Sequence, residues 1–456
     1  MPILGGVADD LTGATTTGVL LARSDARTAV FFNEEAALNS NSTSELDAIM
    51  ISSNSRPLPA NEAYSKVKDA TQALINMGVK YFQKRIDTTC RGGIGVEIDA
   101  MLDLLPDTIA VVVPTMPQSR RIMVGGYSVI DGVALINTAV AQDVRTPVKE
   151  NYIPDLIASQ TRRKVGNVEL NLVLRGKECV RDAITTEVNK GAQIVIVDAI
   201  TIDDVDTIAK ACLELKKNVL AVDPGPFTAK LAFNRNIISN EKANIPNTSS
   251  DVDGKTVLVA AGSATPVTKR QMEVLMEDDR NVRISVDALS LVDGGQKAVE
   301  ESKKAIEKAL WYLRSKEQPR AILIETALHG ELLDLDAEDK KHHYPQGMSA
   351  DRINAALGYM VGQILDKESN KIAGIYTTGG DTQVNVCKQL NVESLEVLDY
   401  VIPQADISRL TGKYAGMPIV GKGGLTGTDT TAVEIVERLF CEYGRVNEVK
   451  KEKEAV

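Results

Sequence analysis

The chain alternates short, uninterrupted apolar runs with amphipathic stretches along almost its whole length. In the first half, such runs occupy residues 3–8, 48–52, 109–113, 194–197 and 219–222. In the second half, they recur at residues 256–261, 282–286, 321–324 and 372–377. Runs that are apolar throughout are typical of strands buried on both faces of a parallel sheet, with helices between them. The alternation therefore predicts an α/β fold.

The length and one polar segment predict how this fold is divided. A chain of 456 residues exceeds the roughly 250–300 residues at which a single core stops growing. Residues 243–254, ANIPNTSSDVDG, carry the Pro, Asn and Ser typical of a linker. We therefore predict two tandem α/β domains with mainly parallel sheets, residues 1–245 and 255–445, followed by a tail at 446–456. Ligands of such sheets bind where strands lead into helices, and we expect a ligand cleft between the domains.

Charge and composition favour a small molecule as the partner. The 62 acidic and 52 basic residues leave a net charge of −10, which argues against nucleic acid or an anionic membrane. Five scattered cysteines without a CxxC pair are typical of reduced thiols. The N-terminus shows no signal-peptide or transmembrane pattern, so we expect a cytoplasmic protein. The three histidines fit no zinc pattern, and we expect no metal site in the protein.

In the first half, charged residues follow the predicted strands. Asp9 and Asp10 come directly after the first apolar run and precede a Thr-Gly pair that opens a helix. Adjacent carboxylates repel each other unless a cation, a hydrogen-bond donor or a catalytic proton lies between them. The hydroxyls of a sugar acid are suitable donors. The alternative is that one aspartate simply caps the helix, which leaves the other unexplained.

Further cations follow the next strands. Arg56 comes shortly after the run at 48–52, and residues 84–95 read KRIDTTCRGGIG. Guanidinium groups pair with carboxylates in a bidentate manner, and glycines before a helix expose backbone N–H groups to an anion. These segments predict a site for a small hydroxylated anion, the alternative being surface turns with solvated charges.

The second half carries three glycine-rich turns after apolar runs. They lie at residues 262–265 (GSAT), 377–382 (TTGGDT) and 421–427 (GKGGLTG). Glycines let the backbone approach phosphate, hydroxyls add donors and lysine adds positive charge. Neither a Walker A loop nor a GxGxxG fingerprint occurs. Turn geometry alone explains a single Gly pair, but three such turns together predict a nucleotide site.

These segments resemble the four-carbon acid sugar kinase family, whose members phosphorylate tetronates or their oxo derivatives at the terminal hydroxyl. The resemblance spans nearly the whole chain. It rests on ADDLTGA at 8–14, KRIDTTCRGGIG at 84–95, PTMPQSRRIMVGG at 114–126, AAGSATPVTKRQ at 260–271 and TTGGDT at 377–382. It implies an N-terminal domain that binds the acid, a C-terminal domain that binds ATP, and Mg²⁺ bridging the phosphates.

The resemblance also implies roles for individual residues. The implied substrate contacts are Asp9, Asp10, Arg56, Lys84, Asp87, Thr88 and Arg91. The implied nucleotide contacts are Ser263, Gly379, Gly380, Asp381, Thr382, Lys422, Gly423 and Gly424. Asp87 and Asp10 are the catalytic candidates, either of which would orient or deprotonate the attacking hydroxyl. The chain departs from the family pattern at Gly93, where an asparagine is usual, and at Leu425-Thr426, where the family favours Phe-Gly.

Two other functions stay open at this point. The strand and helix rhythm is also that of an NAD(P)-dependent dehydrogenase of a hydroxy acid, although the missing GxGxxG counts against it. A non-catalytic protein that closes on a sugar acid would show the same cluster of cations in the first half. A homodimer is one option for the assembly of the chain.

Overall fold

The computed structural model describes residues 1–40, 42–143, 146–239, 254–330 and 332–454, with side chains as far as Arg445. It divides into two compact units, residues 1–242 and 243–456. Residues 243–253 of the predicted linker lie outside the described residues. The predicted domain limits therefore stay a prediction.

The first unit is built on a parallel sheet. Its strands are β1 Leu4–Ala8, β2 Thr28–Phe31, β3 Ala48–Ser52, β4 Tyr81–Arg85, β5 Thr108–Val112, β6 Arg121–Val124, β7 Tyr127–Ile130, β8 Val133–Ala134, β9 Val165–Val168, β10 Ile194–Val197 and β11 Asn218–Asp223. Hydrogen bonds give the order β2-β3-β1-β4-β11-β5-β10-β9, parallel at every pairing. Strands β6, β7 and β8 form a separate antiparallel sheet, called the small sheet below.

Helices supply the crossovers that parallel strands require. In the first unit they are α1 Leu11–Ala22, α2 Glu34–Asn39, α3 Ala60–Asn76, α4 Ile94–Leu102, α5 Ile153–Ala158, α6 Leu170–Val173, α7 Lys177–Asn189, α8 Ile202–Leu213 and α9 Pro226–Asn234. The chain leaves β1 toward β2 and β3 on one side and then returns to β4 on the other. The loops therefore diverge at the carboxyl ends of β1 and β4, which is where open sheets bind ligands.

The core of this unit lies on both faces of the sheet. Along β5, Ile109 and Val111 belong to one buried cluster, whereas Ala110 and Val112 belong to another. Successive side chains of a strand point to opposite faces, so a strand covered on both sides must be apolar throughout. Each valine or isoleucine side chain among them, when fully buried, contributes about 1.5–3 kcal/mol.

The second unit repeats the plan with a mixed sheet. Its strands are β12 Thr256–Ala261, β13 Val282–Ser285, β14 Ala321–Glu325, β15 Ile372–Thr378, β16 Ser394–Ile402, β17 Ala405–Leu410 and β18 Pro418–Lys422. The order is β13-β14-β12-β15-β18-β17-β16. The pairings from β13 to β18 are parallel, and those of β17 with its two neighbours are antiparallel.

The helices of the second unit follow the same rhythm. They are α10 Pro266–Leu275, α11 Ala288–Asp293, α12 Gly295–Arg314, α13 Leu335–His342, α14 Met348–Glu368, α15 Gly380–Gln389 and α16 Thr431–Glu454. Helix α16 includes residues 446–454 of the predicted tail. The loops after β12 and β15 diverge in the same way as those after β1 and β4.

Short 3₁₀ turns complete the described structure at Thr43–Glu45, Pro117–Ser119, Leu135–Asn137, Ala139–Gln142, Ser369–Lys371 and Gly412–Tyr414. The predicted fold class, α/β with mainly parallel sheets in two tandem domains, is confirmed. Across the described ranges, no helix is both long enough and apolar enough to cross a bilayer.

Candidate active site

Two adjacent carboxylates join strand β1 to helix α1. Asp10 is the N-cap of α1, because its carboxylate accepts a hydrogen bond from the Gly13 N–H at 2.7 Å. The helix-cap alternative is thus correct for Asp10. Its side chain keeps 29% of its surface exposed, whereas that of Asp9 keeps 3%. Asp10 is therefore the carboxylate of the pair that a ligand can reach.

Arg56, in the loop after β3, forms ion pairs with the carboxylates of Asp9 and Asp10. Its Nε and Nη2 donate to the two oxygens of Asp9 at 2.7 and 3.1 Å, and its Nη1 lies 2.7 Å from Asp10 Oδ2. Burial alone would raise the pKa of Asp9, but Arg56, Lys84 and Arg85 outweigh burial and hold that pKa below its usual value. The protein itself thus supplies the cation between the two like charges.

The position of Lys84 differs from the expectation that it contacts substrate. Its side chain is fully buried, with the ammonium 2.7 Å from Glu97 Oε2. The ammonium also donates to the carbonyl oxygens of Arg85 at 2.7 Å and Val7 at 3.4 Å. These partners occupy its three hydrogens, and Glu97 accepts a further hydrogen bond from the Ser55 hydroxyl at 2.5 Å. Lys84 thus links strand β1 to helix α4, and the bond from Ser55 to Glu97 extends these contacts to the loop after β3.

Arg85, the next residue along β4, lies beside the two carboxylates. Neighbouring residues of a strand point to opposite faces, and Arg85 Nη1 lies 3.5 Å from Asp9 Oδ1 and 3.4 Å from Asp10 Oδ1. Its Nε is buried without a hydrogen-bond partner among the described residues. Arg85 is therefore a cation of the cluster with a hydrogen still to donate. Strand alternation at the end of β4 was the signal that could have separated it from Lys84.

The loop after β4 holds a second group of charges. Asp87 Oδ2 accepts from Arg91 Nε at 2.7 Å and from the Thr89 hydroxyl. Arg91 also pairs through Nη1 with Asp143 Oδ2 at 3.0 Å. Thr88 is buried beside them. The aspartate is thus fixed by donors on two sides.

The surrounding arginines strongly affect Asp87, one of the two catalytic candidates. Burial alone would raise the pKa of Asp87, but Arg56, Arg91 and Arg85 outweigh it and lower that pKa far below its usual range. A carboxylate that so strongly prefers its anionic form accepts a proton poorly. Asp87 is therefore suited to orienting a hydroxyl, while Asp10, with 29% of its side-chain surface exposed against 8% for Asp87, is the more accessible of the two candidates.

In the second unit, the predicted turns contact one another. Thr265 caps α10, and its hydroxyl donates to the Gly424 carbonyl oxygen at 2.5 Å. The Thr268 hydroxyl donates to Ser263 Oγ at 3.1 Å and reaches the same carbonyl at 3.1 Å. A Cβ at Gly424 would lie 2.6 Å from Ser263 Oγ. The turn after β12 and the turn after β18 therefore form one surface.

The turn after β15 opens a helix toward that surface. Gly379 has φ +96°, a conformation that side chains disfavour, and it precedes helix α15, which begins at Gly380. The first N–H groups of a helix have no acceptor within the helix, and α15 has no side-chain N-cap. Asp381 lies in its first turn, and Thr382 is buried. The free N–H groups are the kind that bind phosphate.

Lys422 is buried. Among the described residues of these three turns, no other charged side chain is buried. Its ammonium donates to the carbonyl oxygens of Gly423 at 2.7 Å and Thr426 at 3.3 Å, and no carboxylate pairs with it there. Burial lowers the pKa of Lys422 to about 8. The Lys422 carbonyl accepts from the Gly379 N–H at 2.9 Å. A buried ammonium without a counter-charge is costly, so this position calls for an anion.

The two departures from the family pattern lie in different surroundings. Gly93 is the N-cap of α4, and a Cβ there would meet only Val96 Cβ at 3.9 Å. The first unit thus has open space where an asparagine is usual. Leu425 is 75% exposed, and the Thr426 hydroxyl donates to Gln404 Oε1 at 3.0 Å. Two N–H groups of this turn already donate to carbonyl oxygens, Gly423 to Gln404 and Thr426 to Gly423, each at 3.2 Å.

His329 pairs with a carboxylate close to it in the sequence. His329 Nδ1 lies 2.9 Å from Glu325 Oε1. In the part of the chain that the structure describes, no group of three or more His, Cys, Asp or Glu could hold a metal ion. All five cysteines are free thiols.

Fold and site together are typical of two-domain α/β enzymes that bind a small anion in one unit and a phosphate-bearing ligand in the other. Comparison with known proteins agrees. Residues 4–231 match the model of a sugar-binding N-terminal domain, and residues 258–432 match that of a nucleotide-binding C-terminal domain.

Relatives cover almost the whole chain. A D-erythronate kinase from Heliobacterium modesticaldum is 37% identical over 95% of this chain and 96% of its own length. A D-threonate kinase from Salmonella typhimurium is 28% identical over 95% of this chain and 98% of its own length. The crystal structure of Haemophilus influenzae protein HI1011 matches with a TM-score of 0.71 at 22% identity, over 96% of this chain and all of that one, and supports the fold. The chain belongs to the four-carbon acid sugar kinase family.

Proposed function

We propose that the chain is an ATP-dependent kinase that phosphorylates the terminal hydroxyl of a four-carbon sugar acid. Family membership confirms the coarser prediction of a kinase for such acids. The 37% identity to a D-erythronate kinase makes D-erythronate the first substrate to test, followed by D-threonate and 3-oxo-tetronate.

The observation that carries the nucleotide half of the proposal is the buried ammonium of Lys422. It is 2% exposed and bonded to carbonyl oxygens, with glycine turns and the open N-terminus of α15 beside it. A triphosphate supplies the missing negative charge and accepts hydrogen bonds from backbone N–H groups. Ser263, Gly379, Gly380, Asp381, Thr382, Gly423 and Gly424 are the proposed neighbours of the nucleotide.

The charge cluster of the first unit supports the sugar-acid half. We assign the substrate carboxylate to Arg85, which has an unpaired Nε, and to Arg91, whose side chain is 28% exposed. Asp9, Arg56 and Thr88 complete the walls of the site. Asp87 would accept a hydrogen bond from the substrate, which suits its fixed negative charge.

The reaction itself demands little covalent chemistry from the protein. The terminal hydroxyl oxygen bonds to the γ-phosphorus as the bond from that phosphorus to the bridging oxygen breaks, and the hydroxyl proton passes to Asp10. Catalysis is then mostly positioning and charge neutralisation. Because the two reacting groups must meet, the predicted cleft between the domains is part of this proposal.

Magnesium belongs to the proposal as the partner of the nucleotide. Mg²⁺ usually binds through substrate phosphates and one or two carboxylates while keeping several waters. Asp381, exposed in the first turn of α15, is the carboxylate that fits this role. The metal would neutralise charge on the transferred phosphoryl group.

A coupled ADP assay with the four-carbon acids tests the proposal. We expect MgATP-dependent turnover of at least one acid, with loss of roughly 10²–10⁴-fold in kcat for Asp10→Asn, because an amide accepts no proton yet still caps a helix. Asp87→Asn should lose activity with a larger rise in KM. Asp182→Asn, which removes an exposed carboxylate of α7, is the matched control.

The same assay separates the alternatives. A sugar-acid-binding protein would bind the acid in calorimetry without releasing ADP, and a dehydrogenase would require NAD(P). Near-normal turnover in both Asp10→Asn and Asp87→Asn would show that the catalytic assignment is wrong.

We also propose a homodimer formed through the small sheet. Its register places on one face a set of apolar side chains with no charge among them, namely Ile122, Val124, Tyr127, Val129 and Ala134. Val124 is 43% and Tyr127 is 51% exposed, which is unusual for adjacent apolar groups. At one end of the sheet, exposed Arg120 and Asp131 pair with each other at 3.3 Å, so this pair brings no net charge to the face. A cytoplasmic location is proposed with it, supported by the five free thiols and testable by cell fractionation.

A further inference from the structure

The second unit contains a cavity that the phosphate-binding turns do not use. It lies at the carboxyl ends of β12 and β14 and has a volume of about 150 Å³. Most of its lining is apolar, from alanine, leucine and isoleucine side chains of the loops and helices that follow these strands. Gly262 lies at its border, one residue before Ser263, so the cavity adjoins the proposed phosphate site.

The two polar side chains that line this cavity differ in whether they have hydrogen-bond partners. The Asn354 side chain is satisfied, since its Oδ1 accepts from the Thr382 hydroxyl at 2.8 Å and its Nδ2 donates to the Ala350 carbonyl at 3.0 Å. The Thr326 hydroxyl is different. Thr326 is 5% exposed, lines the cavity, and its Oγ1 is buried without a hydrogen-bond partner among the described residues. Buried hydroxyls nearly always have a partner, so a ligand is the natural source of one.

We propose that this cavity binds the adenine ring of the nucleotide and that the Thr326 hydroxyl determines the preference for adenine over guanine. The inference deepens the proposed function and rests on it. A flat, mostly apolar ring suits the apolar lining, and a hydroxyl can donate to a ring nitrogen or accept from an amino group.

The selectivity follows from counting polar groups on the base. The pairing edge of adenine has one amino group and one ring-nitrogen acceptor, whereas that of guanine has a carbonyl oxygen, a ring N–H and an amino group. An apolar cavity with one free hydroxyl leaves more of the guanine groups unpaired. Buried groups without partners are strongly disfavoured, so ATP binds more tightly than GTP.

Calorimetry with ADP, GDP and inorganic triphosphate tests the proposal on the intact chain. Thr326→Val removes the hydroxyl and keeps the shape, and we expect it to weaken ADP binding about tenfold while leaving triphosphate binding within twofold. Thr326→Ser keeps the hydroxyl and should stay within about threefold of the original chain for ADP. Ala350→Phe, which fills the cavity, should weaken ADP but not triphosphate.

The outcomes distinguish this inference from the function on which it rests. Equal affinities of the original chain for ADP and triphosphate, or unchanged ADP binding by Thr326→Val, would overturn the adenine assignment and leave the kinase intact. A chain that binds neither ADP nor triphosphate would overturn the proposed function itself. If Thr326→Val weakened ADP and triphosphate equally, the residue would be structural and the inference wrong.

Discussion

Two buried lysines show how the same residue type serves two purposes. Lys84 has a carboxylate partner, Glu97, at 2.7 Å, so its charge is neutralised within the protein. Lys422 has only carbonyl oxygens. The sequence placed both lysines in ligand sites, because it shows which residues follow a strand but not which side chain turns back into the protein. The cluster of Asp9, Asp10 and Arg56 was predictable, since all three follow parallel strands that end at one edge.

The unpaired state of Lys422 predicts how nucleotide affinity depends on pH. Its pKa is lowered to about 8, so the ammonium form, which attracts phosphate, is lost as pH rises through 8. Between pH 8 and 9.5 the affinity for ADP should fall by up to about tenfold per pH unit. Calorimetry should also detect proton uptake on binding at pH 8, because phosphate raises the pKa of the lysine.

Lys422→Arg is the control for this profile. A guanidinium group stays charged throughout this range, so the variant should bind ADP with little dependence on pH above 8. Parallel slopes for the original chain and the variant would contradict the role given to Lys422.

Among the elements, the apolar strands were predictable and the polar ones were not. The runs at 109–113 and 256–261 correspond to β5 and β12, because strands buried on both faces have no polar position. Strand β4, Tyr81–Arg85, was missed, since its last residues are charged and form the site. Strands β16 to β18 were missed as well, because charged, polar or glycine residues interrupt the apolar run in each of them.

Close packing between elements predicts the effect of a single methyl group at the end of β12. A Cβ at Gly262 would lie 2.3 Å from Thr382 Oγ1 and 2.8 Å from Asn354 Oδ1, so α14 and α15 would have to move. Gly262→Ala should lower the free energy of unfolding by about 1–3 kcal/mol and weaken ADP binding at least as much. Chemical denaturation and calorimetry measure the two effects.

Gly444→Ala provides the comparison. Gly444 lies in helix α16, and apart from the backbone of its own helix no described atom lies within 4 Å of a Cβ placed there. Alanine favours helix over glycine by about 0.8–1 kcal/mol. This variant should be as stable as the original chain or slightly more stable. Equal effects of the two substitutions would mean that the packing at Gly262 is looser than described.

For the whole molecule, formation of the proposed homodimer depends on two opposing effects. Burial of the apolar face of the small sheet favours it, and repulsion between two negatively charged chains opposes it. Each chain carries a net charge of −10, which opposes association, whereas the proposed face of the small sheet is uncharged. Neither the register of this sheet nor its exposure can be read from the sequence, because residues 121–134 have no long apolar run. Residues 114–126 enter the prediction only through the family resemblance.

A charge placed on this face should separate the copies. Tyr127→Asp, combined with Val124→Asp, should raise the dimer dissociation constant about 30-fold or more, as measured by sedimentation velocity at several protein concentrations. Tyr359→Asp, at a tyrosine 45% exposed on α14, should leave it unchanged. A monomeric original chain, or a double variant that still dimerises, would rule out this interface.

The buried ion pair of Lys84 and Glu97 should constrain how these two positions evolve. The two residues lie 13 positions apart in the sequence and form a buried ion pair. Removing either one leaves the other charge buried without a partner, which lowers the free energy of unfolding by roughly 3–5 kcal/mol. A substitution at one of the two positions alone therefore destabilises the protein. The partner position must be substituted at the same time or earlier. Across descendants, the two positions should therefore be inherited as a unit.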